Sequence, residues 1–228
     1  MKAMFLNSIK SMLFLSIFSL LVACNSKPYI AQDFKEKVRT SNNTIAVLPY
    51  HVIFQGRTPK NVPIEVLEKL DREERLAFQQ SLFNQFSSRM SGTSLQLQSV
   101  STTNSRLQEN KIDLYKIENY KPETLAKILG VDMVVVPSVI KHRYRSDEAS
   151  IALSAANIVV SNIPGGVYFP YFDARTNDVE ASYAIVNAAD GKVEWSIERK
   201  AAASWARPVS SAMDDLHRRM TRKLKKVK

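Results

Sequence analysis

Residues Pro122 to Ile140 read PETLAKILGVDMVVVPSVI: a short helical pattern, a glycine, then an apolar run that bears most on the fold. Pro122 sits where a first helical turn tolerates a missing N–H, and Leu125, Ala126, Ile128 and Leu129 follow at helical spacing. Gly130 stands where helices are commonly closed by a left-handed residue. From Val131 to Ile140 the chain is apolar on both faces, the pattern of a strand in the middle of its sheet. A helix feeding straight into a central strand points to an α/β layer fold.

Working outward, Thr44 to Pro49 (TIAVLP) is a short β-branched run that Pro49 stops, and residues 50–62, with Gly56 and Pro59, read as a loop. Pro63 and the acidic Glu65 and Glu68 open a helix of about 25 residues, with Leu67, Leu70, Ala77, Leu82, Phe86 and Met90 as its stripe and Asp71 to Arg75 opposite; Gly92 is its cap. Ser94 to Val100 (SLQLQSV) alternates and predicts a second strand, and residues 101–121 a short helix and loop. Lys141 to Arg145 ends the central strand with charge. Glu180 to Asn187 and Lys192 to Arg199 form two strands joined through Ala189-Asp190-Gly191, with Val193, Trp195 and Ile197 inward. A last helix from Pro208 places Val209, Met213, Leu216, Met220 and Leu224 on one stripe. The expected fold is therefore α/β, a mixed β-sheet packed by helices in the order β-α-β-α-β-β-β-α, with no internal repeat.

The amino terminus is an address. Lys2 and Lys10 precede an uncharged run from Ser11 to Ala23, a positive region and apolar core of the kind that directs export; the run is shorter than the roughly 20 residues of a spanning helix. Leu21-Val22-Ala23-Cys24 resembles the bacterial lipobox, in which the cysteine thiol receives a diacylglyceryl group, the leader is cut before it and the new amino terminus is acylated. The chain has one cysteine, and it is this one. One acyl chain binds membranes only marginally, whereas two or more hold. The expected organisation is a signal peptide over 1–23, a lipidated tether over 24–43 and a single domain over 44–228. By similarity to enterobacterial lipoproteins, Asn25 favours the outer membrane, and no acidic cluster follows Cys24 that would direct surface display.

A chain of 228 residues, 45% hydrophobic and 24% charged, is ordinary globular material. One cysteine excludes an internal disulfide framework or a thiolate zinc site, and three histidines leave little for other metals. The formal charge of +10 is concentrated: residues 207–228 hold eight Lys and Arg against Asp214 and Asp215. Arg218, Arg219, Arg222, Lys223, Lys225 and Lys226 on this last helix, 208–228, are candidates for binding anions such as lipid headgroups, and cations also suit a helix C-terminus. An exported chain has no routine nucleic-acid partner.

Ile45-Ala46-Val47-Leu48-Pro49-Tyr50 after a lipidated cysteine, a long helix, and Leu125 to Val136 together resemble a group of bacterial envelope lipoproteins. The group includes the curli-secretion channel lipoprotein, the lipoprotein activators of penicillin-binding proteins (LpoB) and the amino-terminal domain of TolB. The resemblance implies an α/β sandwich over roughly residues 44–200. Residues 149–172 (ASIALSAANIVVSNIPGGVYFPYF) depart from it: they hold no charge, lack the alternation of about ten residues per strand that a barrel wall needs, and carry Ile158, Val159, Tyr168, Phe169, Tyr171 and Phe172 as a candidate interface.

Neither GxSxG, HExxH, a P-loop nor GxGxxG occurs. His51 as a base, Asp214 with His217 as a weak metal pair, and carboxylates among Asp147, Glu148, Asp173, Asp178 and Glu180 as a glycan-hydrolysing pair are the remaining chemical candidates, each with a simpler structural reading. The expectation is a non-enzymatic lipoprotein, lipid-anchored at the periplasmic face of the outer membrane, that takes no cofactor and no metal and binds an envelope protein or its own copies. A secretion-channel subunit and an envelope glycan hydrolase are the alternatives.

Overall fold

In the computed structural model, which describes residues 27–56, 63–90, 93–143, 177–203 and 209–225, the apolar run after Gly130 lies in the middle of a seven-stranded mixed sheet. The elements in chain order are β1 (Tyr29–Ile30), α1 (Phe34–Thr40), β2 (Thr44–Val47), β3 (His51–Gly56), α2 (Ile64–Met90), β4 (Gln96–Leu97), α3 (Val100–Glu109), a 3-10 turn (Ile117–Asn119), α4 (Pro122–Leu129), β5 (Met133–Arg143), β6 (Asn177–Asn187), β7 (Val193–Ala203) and α5 (Val209–Lys225). The sheet order is β1-β7-β6-β5-β2-β4, with β3 also paired to β5. The expected series is contained in this one, with β1, α1 and β3 added and α3 standing where a short helix was expected over 101–121.

Alternation along the strands divides the core in two. Ile45, Val47, Met133, Val135 and Val139 face α1, α2 and α5, whose Phe34, Val38, Phe78, Leu82, Phe86, Met213, Leu216 and Met220 pack on them. Ala46, Leu48 and Val134 face the opposite way, onto Leu107 of α3 and Leu125, Ala126 and Leu129 of α4. Gly130 closes α4 at φ 61°, and the Val131 N–H reaches the Ala126 carbonyl at 3.1 Å, the reverse turn that sends the chain straight into β5.

Several sequence expectations are corrected. Residues 29–40, read as tether, form β1 and α1, and Phe34 and Val38 are buried in the main core. Two apolar residues four apart are too few to stand out as a helical period. The loop expected over 50–62 holds β3: Leu48, Pro49 and Tyr50 span the space opposite Val136 and Pro137, after which pairing resumes at His51 with Ser138. Pro49 therefore marks a bulge rather than an end, at a place where neither it nor Pro137 has an N–H to offer. Gly56 ends β3 at φ 112°, where an added Cβ would lie 2.3 Å from the Arg143 carbonyl oxygen. Lys141 to Arg143 belong to β5 instead of ending it.

Leu82, Phe86 and Met90 of the expected α2 stripe are buried, but the first half of the stripe differs. Ala77 is exposed and Leu70 is 52% exposed, whereas Arg75 and Gln79 are buried beside Phe78 and Leu82. The Arg75 guanidinium donates to the carbonyls of Tyr50 (3.2 Å), Val52 (3.2 Å) and Tyr115 (3.3 Å), and its Nε to Asp71 (2.8 Å), so it satisfies the backbone that the bulge leaves irregular. The strand expected over 94–100 is limited to Gln96–Leu97, because Ser99 accepts the Thr102 N–H and starts α3. In β7, Glu194 is an extra residue where Ile185 pairs with Trp195 but Val186 with Val193. The bulge turns Glu194 inward, 3% exposed, and Val193 outward, 38% exposed, the reverse of simple alternation.

Candidate functional site

Among the described residues, three places concentrate polar side chains. The first is the half of the sheet that α3 and α4 do not cover. Because Val52, Val139, Val179 and Ala181 point into the main core, their neighbours Ile53, Ser138, Ile140, His142, Glu180 and Ser182 point to the other face, joined by Glu198 and Lys200 of β7. Ser138 and Ser182 hydroxyls lie 2.9 Å apart across the strands, Lys200 Nζ is 2.8 Å from Glu180, and His142, Asp178, Glu180 and Lys200 line a surface pocket. Lys200 holds the Glu180 carboxyl below its ordinary pKa, and the Glu180 carboxylate beside Glu198 pushes that one up. Two carboxyls with unequal proton affinity are what acid–base catalysis needs. Here the inequality comes from one ion pair, which commits Glu180 to Lys200 and leaves it a weak base. Asp178 and Glu180, two of the carboxylates singled out from sequence, are thus brought together with Glu198, which was not.

The second place is buried. Tyr50 Oη is 2.6 Å from His217 Nε2, Ser81 Oγ is 2.8 Å from His217 Nδ1, and Ser81 also hydrogen-bonds Asp214. A neutral imidazole has one donor and one acceptor nitrogen, and a carboxylate only accepts, so the protons order in one direction. Tyr50 donates to Nε2, Nδ1–H donates to Ser81, and Ser81 donates to Asp214. A hydrolytic serine must give its proton to the imidazole; this serine receives one from it. Burial lowers the His217 pKa to about 3 and raises those of both Tyr50 and Tyr183. The Tyr183 ring meets His217 edge-on at 5.9 Å, and among the described residues its buried hydroxyl has no partner in hydrogen-bond geometry. The cluster joins α2, α5 and the β2–β3 bulge. Asp214 and His217 therefore do not form a metal pair: one reaches Ser81 from the surface and the other is sealed inside.

The third is the pole where the chain enters the sheet. β1 pairs with the start of β7, Tyr29 with Ser196 and Ile30 with Trp195. Lys37 of α1 ion-pairs with the buried Glu194, which also accepts from Asn187 Nδ2 at 2.9 Å. Tyr29 is 56% exposed beside Val193 and Lys192. On α5, Arg218, Arg219 and Arg222 are exposed, Lys223 is half-buried, and Arg219 pairs with Asp215.

His51 lies at the surface with Nε2 4.0 Å from Glu118. The lipobox Leu21, Val22, Ala23 and Cys24, the candidate interface residues Ile158, Val159, Tyr168, Phe169, Tyr171 and Phe172, and the Lys225 side chain and Lys226 lie outside the described residues. Among the described residues no helix is long and apolar enough to cross a membrane, and no group of three His, Cys, Asp or Glu is placed to hold a metal.

No family model matches the sequence, and no curated protein matches it. Similar solved structures include lipoprotein GNA1162 from Neisseria meningitidis, 15% identical over 80% of this chain and 96% of that one, with a TM-score of 0.39. The PelC dodecamer from Paraburkholderia phytofirmans is 10% identical over 81% of this chain and 91% of its own, at a TM-score of 0.39. LpoB from E. coli, of the group that the sequence resembles, is 11% identical over 75% of this chain and 61% of its own, at a TM-score of 0.41.

Proposed function

We propose that the chain is a lipid-anchored envelope lipoprotein, held through acylated Cys24 at the periplasmic face of the outer membrane, whose domain binds an envelope protein or its own copies and catalyses no reaction. The observation that carries the reading is the sole cysteine, placed at Leu21-Val22-Ala23-Cys24 five residues before β1 begins at Tyr29. The polar clusters support the non-catalytic part: the carboxylate pair is tied up by Lys200, and the serine–histidine pair is ordered against proton abstraction. The interface is assigned to residues 149–172. The segment that contains them leaves and rejoins the sheet at Arg143 and Asn177, which stand opposite each other at the pole away from β1.

Photocrosslinking groups at Tyr168 and Phe172, introduced into the full chain in the intact envelope, test this. A discrete adduct at both positions, lost when Phe169 and Tyr171 are also changed to serine, is the expected result. Adducts no stronger than those from exposed Gln55 refute the interface, and a Cys24 peptide of unmodified mass refutes the anchor.

A further inference from the structure

The topology brings both ends of the described chain to one pole of the sheet. β1 lies against Trp195 and Ser196 at the start of β7, and the Lys37–Glu194 pair fastens α1 there. α5 returns toward the same place. It starts at Val209, six residues after β7 ends at Ala203, its His217 ring meets Tyr183, whose ladder partner is Ile197, and burial lowers the Arg199 pKa with the nearby Arg219 charge adding to it. From His217, at the level of Ile197, Arg222 and Lys223 lie roughly 8 and 9 Å further along the helix at about 1.5 Å per residue, which carries them toward the level of Ser196 and Trp195, the partners of β1.

The geometry points to this pole as a second membrane attachment, in which the basic end of α5 rests on anionic phospholipid headgroups of the same leaflet that holds Cys24. The inference depends on the acylation proposed above. Four residues separate Cys24 from Tyr29, five steps with a reach of at most about 18 Å, so an anchored cysteine keeps the pole within a headgroup layer or two of the bilayer. Charge decides which face of the pole turns down. Around α1 the basic Lys35, Lys37 and Arg39 are offset by Asp33, Glu36 and Glu194, whereas α5 past Asp215 carries cations alone among its charged residues. Exposed Tyr29 and Val193 at the same pole suit the polar–apolar boundary, where tyrosine is enriched.

The test uses the full lipidated chain in vesicles of phosphatidylethanolamine with roughly one quarter phosphatidylglycerol, a composition that supplies the anionic surface. With Cys24 blocked by its lipid, a thiol-reactive fluorophore labels a single introduced cysteine, Lys223→Cys or, at the other pole, Gln55→Cys. A headgroup-depth quencher is expected to quench the first and spare the second, with the effect reversed by salt of about 0.5 M. Arg218→Gln and Arg222→Gln together should lower the docked-to-undocked ratio about 25-fold, near fivefold per charge. Equal quenching at both positions on a chain whose Cys24 is acylated overturns the docking and leaves the anchor standing. The same quenching in phosphatidylcholine alone overturns the part played by headgroup charge. An unmodified Cys24 overturns both.

Discussion

Acid should unfold this domain through one histidine. His217 is fully buried between Tyr50 and Ser81, and its pKa in the folded chain is about 3 against an ordinary value near 6.5. The unfolded chain therefore binds the proton more readily at every pH between those two values. Stability is at its full level above about 6.5 and falls as pH drops toward 3, by about 1.4 kcal/mol per unit, or about 2 kcal/mol between pH 7 and pH 5. The cost is chiefly that of burying the charge, and a charged imidazole also donates from both nitrogens, so the Tyr50 hydroxyl loses its acceptor inside the core. Urea unfolding at pH 7 and pH 5 measures the effect, with His217→Gln as the comparison, since a glutamine amide can accept from Tyr50 without titrating. The natural chain should lose about 2 kcal/mol more than the variant over this interval, even though the variant starts less stable. Parallel losses in the two proteins would refute the argument, as would a His217 ring resonance that titrates near pH 6 in the folded state.

Three further perturbations probe the devices that shape the sheet. Arg75→Met keeps the volume of the buried stem but strands the carbonyls of Tyr50, Val52 and Tyr115; a loss of about 2–4 kcal/mol in urea unfolding is expected, and a change below about 1 kcal/mol would show that water satisfies them. Gly56→Ala should cost at least about 2 kcal/mol, because the new Cβ meets the Arg143 backbone at a positive φ, whereas an added Cβ at Gly130 meets only the Arg106 side chain at 3.3 Å, so Gly130→Ala should cost about 1 kcal/mol; thermal unfolding of the pair ranks them. Lys37→Met leaves the Glu194 carboxylate buried with Asn187, so a loss of about 2 kcal/mol is expected, together with faster amide exchange in α1; unchanged exchange there would mean that Phe34 and Val38 alone hold the helix.

The layers of this fold were legible because they rest on long, repeated patterns. Pro122, Leu125 to Leu129 and Gly130 carry cap and period together, and Val131 to Ile140 is apolar for long enough that its central place in the sheet needs no partner to be read. What was missed depends on contacts between distant parts of the chain. β3 follows a proline that ends a strand by local rules, and only the bulge against Val136 and Pro137 lets pairing resume. Arg75 reads as a member of a charged face until the three carbonyls it caps are seen. Glu194 reads as a wet-face residue until the register shift beside Val186 turns it inward. The polar clusters were hidden for the same reason: Tyr50, Ser81, Tyr183 and His217 come from the β2–β3 bulge and three different elements and are spread over more than half of the sequence. Glu198 pairs with Glu180 only because of the β6–β7 register.

The bulge at Glu194 ties these observations to function. If Cys24 is acylated as proposed, the lipid would pull on the chain at Lys27 to Ile30, and β1 is only two residues long, too few ladder bonds to hold the terminus alone. The load passes to α1 through Phe34 and Val38 in the core and Lys37 on Glu194, and Glu194 faces inward only because β7 carries its extra residue there. From that pole β5 and β6 run eleven residues each, about 36 Å at about 3.3 Å per residue, to Arg143 and Asn177. On the proposed reading, Arg143 and Asn177, where the segment containing residues 149–172 leaves and rejoins the sheet, therefore stand on a rigid ladder at a set height above the bilayer, while the membrane contacts stay at the other end. A partner that binds there must reach that height, so lengthening residues 25–28 by a flexible insert should weaken capture of a membrane-bound partner and leave capture of a soluble one unchanged. Equal weakening of both would show that the segment near Tyr29 takes part in binding directly and does not merely set the height.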